Sequence, residues 1–204
     1  MRTLGSKGEV TEKLLREAGI RLIARHGYDA VSLRHLAKEV GIQAGSLYNY
    51  ISNKQDFLHA LMGDIIRDLN NDMEQAMAGL DDPLEMLRAF IRVHILFHTK
   101  RKDEVFIGNM ELRSLTDENR ADIVKMRDEY EDRLDHILKK GQESGIFRFS
   151  NRRTVRLALF AMLTQIANWY SPKGKESISS ITEEYIDLAV AMLRVPEEHL
   201  MEAA

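Results

Sequence analysis

The 204-residue chain contains no cysteine, which excludes disulfides and thiolate metal sites and makes the cytoplasm its expected address. Long hydrophobic runs are missing too. The longest strictly apolar stretch, Leu157 to Leu163, falls far short of the roughly 20 residues that a bilayer helix needs. The N-terminus lacks the apolar centre of a secretory signal. No segment sustains the period-two alternation of a strand, and there is no internal repeat or low-complexity tract. What is present is 44% hydrophobic and 30% charged residues, the balance of a globular protein with a real core.

Charge of one sign is not in excess overall, with a net of −3, but it is unevenly placed. Residues 1–60, Arg2 among them, carry nine Lys/Arg against six Asp/Glu, a surplus of three, while the other 144 residues sum to −6. A mildly basic head on an acidic body suits a polyanion partner at one end.

Helical periodicity predicts an all-α fold of about nine helices. The first ends at His26-Gly27; Ser32 caps the second, with Val31 and Leu36 placed as a hydrophobic staple and Gly41 as its stop. Leu36, Ala37 and Val40 make its buried side, and a brief third helix runs from Gln43 to Asn49. Ser52 and Gln55 read as a capping box for a fourth helix to about Ala78. Asp82-Pro83-x-Glu85 starts a fifth, a sixth lies near 103–114, and Thr116 caps a long seventh that stops at Gly141 or Gly145. Residues 152–170 and 180–194 complete the set, the last opened by a Ser180–Glu183 capping box.

The segment from Ser32 to Asn49 has the pattern of a helix-turn-helix. With Ile42 and Leu47 buried, Gln43, Ala44, Ser46, Tyr48 and Asn49 face outward, where amides and hydroxyls can read base edges in a major groove and Tyr48 can bond a phosphate. Lys54, at the start of the fourth helix, can hold another phosphate, whereas Tyr50 reads as a core plug.

The stretch "VSLRHLAKEVGIQAGSLYNYISNKQDFL" resembles the DNA-binding segment of the TetR family of transcriptional regulators, a likeness that covers roughly residues 8–60. It implies a DNA-binding domain over 1–53, a ligand-binding and dimerisation domain over 54–204, a homodimer on a palindromic operator and release by a small effector. Position by position, it gives Ser32 and Arg34 contacts from the second helix, the outward residues of the third helix to the groove, and Lys54 to phosphate. Gln43 stands where such sequences often place a capping Ser or Thr, and Ala44 offers no hydrogen bond.

A second likeness, carried by "NMELRSL", "GQESGIF" and "NWYSPKG" over about 105–193, is to members of that family that sense acyl-coenzyme A. It implies a pocket, for which His94, Phe97, His98, Met110, Arg113, Met126, Tyr130, Gln165 and Trp169 are candidates. Arg148, Arg152, Arg153 and Arg156 are candidates near its mouth, and Asn168 stands where an arginine is often expected, just before Trp169-Tyr170. Met77, Met86 and Met162 are adaptable fillers of core or cavity. The dimer is expected on Leu157, Phe160, Ala161, Thr164 and Ala167 with Ile186, Ala189, Val190 and Leu193.

Two other classes stay open. His94 and His98, spaced i, i+4, allow a small helical metalloenzyme, although no third ligand is evident and a packed pair is the plainer reading. A DNA-binding protein that answers to no ligand is the other. No cofactor is expected, and no enzyme activity.

Overall fold

The computed structural model describes residues 7–201, and these are all-helical, without a strand. The helices are α1 (Lys7–His26), α2 (Leu33–Val40), α3 (Ala44–Leu47), α4 (Lys54–Met77), α5 (Pro83–Lys100), α6 (Lys102–Met110), α7 (Asp117–Glu143), α8 (Arg152–Trp169), α9 (Ile178–Met192) and α10 (Glu197–Met201). A 3-10 turn, Glu111–Ser114, joins α6 to α7. Nine helices were expected; the additional one, α10, is too short to leave a periodic stripe in the sequence. Arg2 lies outside the described residues. No helix among the described residues is long and apolar enough to cross a membrane.

Local chemistry places most boundaries. Ser32 Oγ accepts from the His35 N–H at 3.1 Å, and Asp82 from the Glu85 N–H at 2.9 Å with Pro83 in the first turn. Gly41, at φ 76°, bends the chain between α2 and α3 in a conformation that a side chain would strain. Two expected caps are displaced. Asn53 Oδ1, not Ser52, accepts from the Asp56 N–H at 2.9 Å, and Gln55 is turned elsewhere. Ser177 Oγ accepts from the Ser180 N–H at 3.1 Å, so α9 begins a turn earlier than expected and takes Ile178 into its apolar side.

The chain divides into two compact units. The first takes the described residues up to Arg67 with Asp103–Met126; there α1 packs on α2 and α2 on α3 over Leu15, Ala18, Ile23, Leu36, Leu47, Leu58 and Met62. Val31 and Leu36 are both buried, as a staple requires. Val40 is only half-buried, because α2 ends there as the chain turns.

The second unit takes Asp68–Lys102 with the described residues from Arg127 onward. In it α5 packs on α8 and α9, and α8 on α9, over Leu87, Phe90, Ile95, Leu134, Leu159, Leu163 and Leu193. Phe147 folds back onto α7 at Gly141, where a Cβ would stand 2.0 Å from the ring. Of the charged run around Tyr130, Arg133 reaches Asn70 at 3.2 Å and Asp135 binds Arg152 at 3.1 Å, so these two serve packing between elements rather than a purely solvated face.

Candidate functional site

A four-residue helix such as α3 is far below the length at which an isolated helix persists in water, so its neighbours must hold it. Leu47 supplies the hold: it is completely buried. Around it Gln43, Ala44, Ser46, Tyr48 and Asn49 are all exposed, Tyr48 at 62%. Gln43 makes no side-chain cap bond. Ile42 and Tyr50 are half-buried. Ser32 and Arg34 are exposed at the start of α2, and Ser32, while accepting from His35, keeps its hydroxyl proton for another acceptor.

Lys54 opens α4. Its ammonium stands 4.0 Å from the Tyr28 ring centroid and donates to the Asp29 carbonyl at 3.2 Å. Next to it, Gln55 does more than the capping that the sequence suggests. Its Nε2 donates to the Tyr28 hydroxyl at 3.0 Å and to the Ser114 carbonyl at 2.7 Å, while its Oε1 accepts from the Thr116 N–H at 3.0 Å. The buried Glu111 carboxylate accepts from the Tyr28 N–H at 3.1 Å and from Ser114 Oγ at 2.7 Å. Burial pushes the Tyr28 phenol above its ordinary pKa. This lattice ties the loop after α1 and the start of α4 to the 3-10 turn and the start of α7. Partners up to 83 positions apart leave no pattern that a local reading could find.

In the second unit His94 and His98 are buried, 1% and 7% exposed, with ring centroids 3.8 Å apart and planes 8° from parallel. His98 Nδ1–H donates to the His94 carbonyl at 2.8 Å, and His94 Nδ1 lies 2.7 Å from the Tyr130 hydroxyl. The rings of Phe90, Tyr130 and Phe160 complete an aromatic cluster about His94. Burial, reinforced by His98, holds His94 well below the ordinary histidine range. Burial also brings His98 to about 4, Arg127 adding to the effect and the bond to the His94 carbonyl opposing it. Phe97 is buried nearby in sequence, under the Arg101 guanidinium. As a metal pair the two histidines are poorly disposed: they stack by their faces, and among the described residues no three His, Asp or Glu converge on a common point.

Other expected pocket residues are placed differently. Met110, Arg113 and Met126 belong to the first unit, where Arg113 is exposed in a cleft of about 630 Å³ shared with His26, Tyr28, Glu111 and Ser114. Gln165 is exposed and accepts from Asn168, and Trp169 is half in solvent, stacked on Tyr185. Both stand on the outer side of α8, since its inward side is filled by Leu159, Leu163 and Ile166. Met86 is buried, with Met77 and Met162 half-buried. At the expected mouth, Arg152 pairs with Asp135 and Arg156 lies 4.0 Å from Glu131, while Arg148 and Arg153 are exposed.

On α8, Leu157 and Ala161 are exposed, with Phe160, Thr164 and Ala167 half-buried. On α9 the expected interface stripe needs correction. Ile186, Ala189, Val190 and Leu193 are buried within the chain's own core, and the apolar residues left outside are Leu188, Ala191 and Met192.

The chain is similar to known proteins in sequence and in fold. The family "Bacterial regulatory proteins, tetR family" matches residues 15–61, and "Tetracyclin repressor-like, C-terminal domain" matches residues 80–193. The Fatty acid metabolism regulator protein of Bacillus subtilis (strain 168) is 25% identical over 181 residues, 86% of this chain and 91% of that one. A solved tetR-family regulatory protein from Rhodococcus RHA1 shares the fold, with a TM-score of 0.83 at 22% identity over 92% of this chain and 97% of that one. AibR, solved in complex with isovaleryl coenzyme A and operator DNA, gives a TM-score of 0.79 at 27% identity over 90% of this chain and 97% of that one. A polar, exposed surface around a buried leucine, on a chain matched by both families, has one identity: the protein belongs to the TetR family of bacterial regulatory proteins.

Proposed function

We propose that this ligand-responsive DNA-binding repressor works as a cytoplasmic homodimer without enzyme activity, binding DNA through residues 1–53 and effector and partner through 54–204. The observation that carries it is α3 with its flanking residues, where Gln43, Ala44, Ser46, Tyr48 and Asn49 are exposed around the fully buried Leu47. Gln43, Ser46 and Asn49 would meet base edges, Ala44 a thymine methyl, and Tyr48 and Lys54 phosphates, with Ser32 and Arg34 adding contacts from α2. Gly45 has open space where a Cβ would stand, so the α3 backbone can come close to the duplex. Two such heads fit successive major grooves, about one turn apart.

For the effector, the likeness to AibR and to the fatty-acid regulator supports an acyl-coenzyme A thioester, with His94, Phe97, His98 and Tyr130 around its acyl part. The effector releases DNA only as far as it prefers a dimer whose heads no longer fit one duplex. A tenfold loss of operator affinity needs a preference of about 1.4 kcal/mol. Gln55 and Glu111 are the links through which α7 and the 3-10 turn would reposition the reading head.

The test is an operator selected from random duplexes by the purified dimer, followed by anisotropy titration with acyl-coenzyme A species and free acids. Thioesters should lower operator affinity at least tenfold. Release by free acids alone would discard the thioester, and binding without sequence preference would discard the operator reading.

A further inference from the structure

Two buried side-chain nitrogens find no hydrogen-bond partner among the described residues, and both belong to the second unit: His94 Nε2 and Arg156 Nε. A buried polar atom left unpaired is costly, and native proteins keep few of them. Arg156 Nε always carries a proton. For His94 the proton can be placed by its neighbours. The Tyr130 phenol, buried and pushed well above its ordinary pKa, keeps its hydroxyl proton, and its hydrogen-bond partner among the described residues is His94 Nδ1, 2.7 Å away. Nδ1 is therefore the acceptor of that bond. A neutral imidazole then has its N–H on Nε2. Both unpaired atoms are donors.

Their surroundings narrow what could accept from them. Phe90, Tyr130, Phe160 and the His98 ring enclose His94, with centroids 3.8 to 6.1 Å from its own. Such a wall suits an apolar body, not a second charged group. Arg156 stands one helical turn before Phe160 on α8, and its pairing with Glu131, at 4.0 Å, is loose. An apolar molecule with an uncharged or weakly charged oxygen acceptor matches this combination of donor and wall.

Resting on the acyl-effector reading above, we propose that His94 is the specificity-determining residue of the effector site, its Nε2–H donating to the carbonyl oxygen of the acyl group. Tyr130 is a positioning residue: its hydroxyl holds the imidazole in the tautomer that presents the donor. The carbonyl can belong to a thioester or to a free acid taken up in its protonated form, because both then offer an uncharged carbonyl oxygen to the same N–H.

The experiment uses the full-length protein and a thermal-shift panel of acyl-coenzyme A thioesters and free fatty acids from five to eighteen carbons. The best ligand is then titrated calorimetrically beside its analogue lacking the carbonyl, an S-alkyl-coenzyme A thioether for a thioester or a primary alcohol for an acid. Removing the carbonyl should cost the wild type about tenfold or more in affinity. His94→Phe keeps a ring but no donor, and should bind both members of the pair alike. His94→Gln, which restores an amide donor, should recover part of the preference, and Tyr130→Phe, which only frees the tautomer, should weaken it. Equal binding of the pair by wild type, or an undiminished preference in Tyr130→Phe and His94→Phe, would overturn the role of His94 while leaving an acyl effector standing. Binding by no member of the panel would overturn both.

Discussion

Lys54 rests over the face of Tyr28, its ammonium 4.0 Å from the ring centroid, and is steadied by the Asp29 carbonyl at 3.2 Å. A cation held in this way has little rotamer freedom left to lose when it meets a phosphate. Lys54→Ala should therefore do two things. Removing the cation–π contact should lower stability by about 0.5–1 kcal/mol. Operator affinity should also drop, and the slope of log affinity against log salt should shrink by about one unit. A salt slope equal to that of the wild type would reduce Lys54 to a structural role.

Tyr48 offers a cleaner separation. At 62% exposure its ring contributes little to the fold, and only its hydroxyl is removed in Tyr48→Phe. Unfolding free energy should stay within about 0.5 kcal/mol of the wild type. Operator affinity should fall several-fold and alike across operator variants, because a phosphate contact carries no base preference. A loss confined to one base position would make Tyr48 a reader of sequence instead.

The stacked histidines make stability depend on pH. An unfolded chain takes up protons on histidine below about pH 6.5, whereas in the fold burial holds His94 well below that range and His98 waits until about 4. Between those limits the unfolded state binds more protons, so stability is complete above pH 6.5 and falls as pH drops towards 4. For His98 the loss across that window is on the order of 3 kcal/mol. Urea unfolding at pH 7.5, 6 and 5 should show it, with a shallower decline in His98→Leu. Identical pH dependence in the variant would mean that the pair is not buried neutral in solution.

Local chemistry was legible in the sequence where it is self-contained. Ser32, Gly41 and Leu47 lie within sixteen positions of one another, and their cap, turn and anchor need no distant partner. Gln55 shows the other case. Its amide could cap a neighbour or reach across the fold, and only the arrival of Tyr28, Ser114 and Thr116 decides that it reaches. Along the sequence Met110 and Arg113 read as pocket residues because a family likeness orders residues along the chain, while the compact units cut between Lys102 and Asp103. The α9 stripe failed for a third reason: periodicity says that a face is buried, not whether its own chain or a partner buries it.

That ambiguity leads to a decisive pair of substitutions. With Ile186, Ala189 and Leu193 closing the core of the second unit, a partner subunit would meet Leu188 and Met192 on α9 and Leu157 and Ala161 on α8. Leu188 is 54% and Leu157 50% exposed, so a glutamate at either position remains solvated in the monomer. Buried in a twofold interface, each would face its own copy or an apolar surface, at a cost of several kcal/mol. Leu157→Glu/Leu188→Glu should thus stay helical and melt cooperatively, yet sediment as a monomer and bind a palindromic operator at least a hundredfold more weakly. Ala189→Glu, placing a carboxylate in the core, should instead unfold the chain. Should the double variant still sediment as a dimer, subunit pairing lies on another face.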